Sequence, residues 1–172
     1  MAIFEPGEVE AFAPLVQPPA PLLGLDLGAK TIGVASADGD QRLATGVETV
    51  RRTRFTADAA RLAVLVRERG VRGLVLGLPL NMDGTEGPRC QATRAFARNL
   101  ARVEALCALP VLLWDERWST MTVERSMIEQ DVSRRRRAAA VDTLAASVIL
   151  QAALDRLRNV RLERSSVARR DP

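Results

Sequence analysis

Four acidic residues stand where an α/β chain could do chemistry: Asp26, the adjacent pair Asp115 and Glu116, and Asp142. Asp26 lies near the end of the apolar run Leu22–Leu27, and Asp115-Glu116 follow the apolar run Val111–Trp114. Asp142 has Ala138, Ala139, Ala145, Ala146 and Ile149 as helical neighbours. A carboxylate on so small and apolar a face is expected to point into the protein rather than at solvent. The chain contains no histidine, which removes imidazole acid–base catalysis and imidazole metal ligands. Carboxylates drawn from separate elements make a hard-oxygen site, suited to Mg²⁺ or Mn²⁺ and not to zinc. Like charges packed together also need cations to be stable. Two such ions roughly 3.5–4 Å apart clamp the attacking and leaving oxygens of a phosphodiester. Simpler roles stay open on the residues alone: Asp26 could cap its own turn, and Asp142 could pair with an arginine of the run Arg134–Arg137.

The basic residues point to the same class of substrate. They number 25 against 21 acids, with an isoelectric point near 10.3, a balance that favours a polyanionic partner. Only Lys30 is a lysine; it falls in the turn after Asp26, where a compact ammonium can meet a phosphate. Arg134, Arg135, Arg136 and Arg137 form a predicted basic loop before Asp142, and Arg117 adjoins the acid pair; arginine suits bidentate phosphate contact. Trp118 could stack on an unpaired base, whereas Trp114 suits the core. Asn81 opens the irregular stretch Asn81-Met82-Asp83-Gly84 at the carboxyl end of a predicted central strand, where open α/β sheets bind ligands.

The elements that must position these residues follow from periodicity. Leu22–Leu27, Thr31–Ala37 and Arg42–Val50 read as three antiparallel strands joined by short turns. A helix from Thr56 to Gly70, the apolar strand Gly73–Leu78, a long helix over 88–106 and the strand Val111–Trp114 form a parallel half. A short helix from Ser119 to Gln130 and a final helix over 138–158 complete the order. The prediction is one α/β domain over residues 21–158 with a five-stranded mixed sheet and helices on both faces. Residues 1–20, with Pro6, Pro14, Pro18 and Pro19, are expected as a disordered arm, and 159–172 as a flexible tail. No apolar run approaches the ~20 residues of a membrane span, so no membrane partner is expected. Two cysteines, Cys90 in the long helix and Cys107 at its end, suit a reducing cytoplasm.

Four stretches carry a resemblance to a known family. Leu25-Asp26-Leu27-Gly28-Ala29-Lys30-Thr31-Ile32-Gly33-Val34-Ala35, Gly77-Leu78-Pro79-Leu80-Asn81-Met82-Asp83-Gly84, Asp115-Glu116-Arg117-Trp118-Ser119-Thr120 and Val141-Asp142-Thr143-Leu144-Ala145-Ala146 resemble, in this order, the YqgF/RuvX family. The resemblance covers about Leu22–Leu157. It implies a ribonuclease H-like (RuvC-like) fold and a bacterial cytoplasmic nuclease that matures the 5′ end of precursor 16S ribosomal RNA, with two Mg²⁺ or Mn²⁺ ions. Family members are also discussed as Holliday junction resolvases, acting on branched DNA. Asp26, Asp142 and the acid at Asp115 or Glu116 would be the catalytic, metal-binding carboxylates; the family pattern leaves the choice within the pair open. Lys30, Asn81, Arg117, Trp118 and Arg134–Arg137 would meet the nucleic acid. Monomer and homodimer both remain open, the dimer being what a symmetric resolvase needs. Trp118 stands where leucine is commoner, and Thr31 where a basic residue is common.

Two other classes compete. Asp26 to Gly33 also resembles the phosphate loop of actin-like ATPases, a fold that needs a duplicated half for which 172 residues leave no room. A non-catalytic RNA-binding module would not gain from a carboxylate cluster, which repels phosphate in the absence of metals.

Overall fold

The computed structural model describes residues 1–118 and 134–167, the side chains of 134–141 apart. Its strands are β1 (Ile3–Phe4), β2 (Leu22–Leu27), β3 (Thr31–Ala37), β4 (Ala44–Arg51), β5 (Gly73–Leu78) and β6 (Val111–Asp115). The helices are α1 (Val9–Phe12), α2 (Phe55–Arg69), α3 (Pro88–Leu100) and α4 (Arg134–Val167). The sheet order is β1-β6-β5-β2-β3-β4. β1, β6, β5 and β2 run parallel, and β3 is antiparallel to both its neighbours. The mixed α/β sheet is therefore as expected, but it has six strands rather than five.

Alternation along β2, β5 and β6 sends their apolar side chains into two cores. Leu23, Leu25, Leu27, Leu74, Leu76, Leu78, Val111 and Leu113 pack under α2 and α3. Leu22, Val75, Leu112 and Trp114 pack under α4 with Ala146, Ile149, Leu150, Ala153 and Leu157. On that second face the sheet is small. A Cβ added at Gly24 would lie 2.6 Å from the Leu150 Cβ, and one at Gly33 only 2.0 Å from the Asp142 carbonyl oxygen. Glycine is thus required where α4 crosses β2 and β3, because backbone meets backbone there.

The sixth strand comes from the stretch expected as a disordered arm. Ile3 and Phe4 pair with Val111 and Leu112, covering an edge of β6 that would otherwise expose unpaired backbone groups. Val9, Phe12, Ala13 and Val16 are buried against α4. Their spacing is that of one helical face, and Pro6 and Pro14 sit in the opening positions of two short 3₁₀ turns, where a missing N–H costs nothing. The prolines marked starts of turns and not disorder.

The expected flexible tail is corrected in the same way as far as Val167. α4 continues because the N-terminal segment offers it a surface: Leu157 and Val160 are buried, and Arg161 and Arg164 donate to the carbonyls of Val16 and Glu10 at 3.2 and 2.7 Å. The helix expected over 88–106 stops at Leu100. Leu100, Val103, Leu106 and Leu109 then recur every three residues, the spacing of the tight turns that follow. Cys107 therefore lies beyond the helix that holds Cys90. The helix expected over Ser119–Gln130 lies outside the described residues. Arg134–Arg137 form the first turn of α4 and not a loop.

Because Phe12 is fully buried and meets the Phe4 ring edge-on at 5.6 Å, Phe12→Ala is expected to cost about 3–5 kcal/mol in urea unfolding. A dispensable arm would show no change.

Candidate active site

The carboxyl ends of β2, β5 and β6 form one rim of the sheet, and the predicted acids collect there. Asp26, in register with Gly33, shares the α4 face with Gly24 and Leu22. Asp142 arrives on α4 directly over Gly33, whose missing side chain leaves room for the helix. The adjacent pair at the end of β6 is split by strand alternation. Asp115 has the parity of Val111 and Leu113 and faces the α3 side; Glu116 has the parity of Leu112 and Trp114 and faces α4. The Glu116 N–H extends the ladder by donating to the Leu78 carbonyl at 3.2 Å. A Cβ at Gly77 would lie 2.7 Å from Glu116 Oε1, so the glycine in β5 is what admits this carboxylate.

Electrostatics separates the two acids as sharply. Asp115 is 2% exposed and clamped by Arg117, whose Nη2 lies 2.6 Å from Oδ2 and whose backbone N–H donates to Oδ1 at 3.0 Å. Glu116 instead faces like charge. Burial, then the negative charge of Asp26 and more weakly Asp115, push its carboxyl up to about 7, against the pull of Arg89. Burial and the charge of Asp142 also raise Asp26, again opposed by Arg89. Asp26, Glu116 and Asp142 thus form one coupled acidic group from three elements, and Asp115 belongs to an ion pair beside it. Among the described residues no three acids or cysteines converge on the spacing of one ion's ligands.

The surrounding residues divide into two groups. Asn81, Arg89, Glu116 and Arg117 line a shallow cleft of about 340 Å³ together with Pro79 and Leu80. The loop that begins at Asn81 is self-bonded: the Asn81 side-chain amide donates to Thr85 Oγ1 at 2.9 Å, and Asp83 accepts from the Thr85 hydroxyl at 2.6 Å. Lys30 is exposed in the β2–β3 turn; that turn is tied by Arg52, which donates to the Lys30 and Gly28 carbonyls at 2.9 and 2.5 Å. Trp118 is brought elsewhere. It is 53% exposed and meets buried Trp114 edge-on at 5.2 Å, beside Pro6, Val9 and Arg156. The side chains of Arg134–Arg137 lie outside the described residues.

Sequence reasoning did not include Arg89 among the candidate site residues. The signal for its true place was topological: a helix that follows a parallel strand begins near the carboxyl ends of the strands, and Arg89 is its second residue. The role of Gly33 and Gly77 was equally readable only after the helix and the acid had been placed.

With this geometry, the comparison with known proteins is direct. A family model described as "RuvX: Holliday junction resolvase" matches residues 20–156. The chain belongs to the RuvX family. Two relatives named "Putative pre-16S rRNA nuclease" illustrate the likeness. That of Rhodopseudomonas palustris (strain TIE-1) is 65% identical over 140 residues, covering 81% of this chain and 86% of the relative. That of Cereibacter sphaeroides is 57% identical over 149 residues, covering 87% and 91%. Among solved structures, T. thermophilus RuvC in complex with a Holliday junction substrate aligns with a TM-score of 0.50 at 14% identity over 80% of this chain and 96% of that one. The yeast mitochondrial Holliday junction resolvase Ydc2 aligns at 0.52 and 13% identity over 94% and 88%. These likenesses fix the fold as RuvC-like, of the ribonuclease H type. The RuvX match begins at residue 20, so the packed N-terminal segment is an addition to the matched region. Among the described residues no helix is long and apolar enough to cross a membrane.

The two neighbouring acids should respond oppositely to neutralisation. A raised carboxyl in the folded state destabilises the fold as pH climbs from about 4.5 to 7 and fully above that. With EDTA present, Glu116→Gln should therefore raise the stability at pH 8, by up to roughly 3 kcal/mol, and leave it unchanged at pH 4.5. Asp115→Asn should lower it at pH 8 by about 1–3 kcal/mol through loss of the Arg117 pair. Thermal melts of both variants against pH check this; equal responses would contradict the division.

Proposed function

We propose that this chain is a divalent-metal-dependent nuclease that hydrolyses phosphodiester bonds in the 5′-end maturation of precursor 16S rRNA. The observation that carries the reading is the coupled trio Asp26, Glu116 and Asp142, gathered from β2, the end of β6 and α4 at one rim of the sheet. The names of the RuvX relatives supply the substrate. The trio suits hard cations: every donor is a carboxylate oxygen, and mutual repulsion with burial leaves negative charge that a divalent ion would offset. Held by these three residues, two Mg²⁺ or Mn²⁺ ions would supply charge neutralisation at the phosphate and a lower pKa for the attacking water.

The chain's own residues do the remaining work. Asp115 fixes Arg117 beside the cleft, so that a cation is presented to the strand without bonding to Asp26, Glu116 or Asp142. Lys30 and the four arginines Arg134–Arg137, which precede Asp142 by one to two helical turns, hold the phosphate backbone. Asn81 offers an amide from a self-braced loop, and Trp118 an exposed ring for a base. Action is in the cytoplasm, where free Cys90 and Cys107 suit a reducing medium.

Cleavage of a precursor 16S 5′-leader RNA is expected with Mg²⁺ or Mn²⁺ and not with EDTA. Asp26→Asn, Glu116→Gln and Asp142→Asn should each lower kcat by about 100-fold or more while RNA affinity stays within a few-fold. Preferential, symmetric nicking of a four-way DNA junction would favour the resolvase reading and a homodimer. Full activity in any of the three variants would remove that residue from the site.

A further inference from the structure

Among the described side chains, α3 and the end of β6 supply Arg89, Arg94 and Arg117, and two of these are committed. Arg117 is bound to Asp115, and Arg94, two turns along α3, is bound to Glu5 and Glu86 at 2.6 Å each. Arg89, in the first turn of α3, makes no hydrogen bond or ion pair among the described residues. It is exposed and lines the cleft with Asn81, Glu116 and Arg117. Its positive charge reaches both Asp26 and Glu116. A guanidinium drawn towards carboxylates but not bonded to them keeps its donors available, and its planar fork matches two oxygens of a phosphate.

We infer that Arg89 is a substrate-contact residue whose guanidinium grips a non-bridging oxygen pair of the phosphodiester at, or next to, the one that is cut. The inference rests on the nuclease reading above. Arg89 comes from α3, which covers the face of the sheet opposite α4, so the strand would be held from the α3 side by a residue outside the metal-binding trio. Lysine would keep the charge and lose the fork.

The test is fluorescence anisotropy of a labelled precursor 16S 5′-leader RNA over a range of salt, with EDTA present so that the strand stays intact, paired with kcat and KM in Mg²⁺. Arg89→Ala should weaken binding about 5- to 10-fold and make the salt dependence shallower by about one unit of slope. The loss should appear mainly in KM, and Arg89→Lys should recover part of it. Arg98→Ala, on the exposed outer face of the same helix, removes equal charge and should leave affinity and slope unchanged. If the parent protein binds and cuts while Arg89→Ala matches it, or if Arg98→Ala loses as much, the inference fails alone. A parent protein that neither binds nor cuts RNA or a four-way junction overturns the nuclease reading and the inference with it.

Discussion

Backbone contact between α4 and the sheet at Gly33 is the constraint on which the rest depends. Any side chain there would collide with the Asp142 carbonyl, 2.0 Å from where a Cβ would sit. With glycine, the helix lies flat enough to set Asp142 over Asp26, its charge felt directly by the strand carboxylate. Gly24 and the alanines of α4 serve the same approach further along. The packing that makes the helix part of the core is therefore also what assembles the acids, so folding and site formation are one event. The N-terminal segment contributes by lengthening α4: Phe12 and Val16 give its last turns something to pack on.

Strand alternation then does a chemical job. Two acids adjacent in sequence are sent to opposite faces, one into a salt bridge and one into a repelling cluster. The two outcomes differ in sign. Asp115 is held as an anion by Arg117 and adds to stability, whereas Glu116 is pushed towards its neutral form and costs stability when ionised. Arg89 moderates the cost by lending positive charge without closing an ion pair.

Much of this was legible in the sequence because it depends on local pattern. The acids at strand ends, the apolar face around Asp142 and the four collinear motifs pointed to the α/β architecture and the RuvX family. That Asp115 and Glu116 face opposite sides of the sheet was not legible, although alternation from Val111 onwards contains it; the register of β6 against β5 had to be known before parity meant a particular face. The N-terminal segment was misread because proline was weighed above the spacing of Val9, Phe12, Ala13 and Val16. Strand β1 is two residues long and has no pattern of its own; it exists because the edge of β6 is there to receive it. Arg89 went unnoticed because the cleft it lines is built with residues of the loop after β5 and with Glu116 and Arg117 after β6, not from its own helix pattern.

The most direct test of the account is a crystal structure of the protein soaked with Mn²⁺, with anomalous differences recorded at the manganese edge. The account predicts anomalous peaks bounded by the carboxylates of Asp26, Glu116 and Asp142, with Asp115 still paired to Arg117. Peaks ligated by Asp115 in place of Glu116, or no peak at this rim in a preparation that cleaves RNA with Mn²⁺, would contradict it.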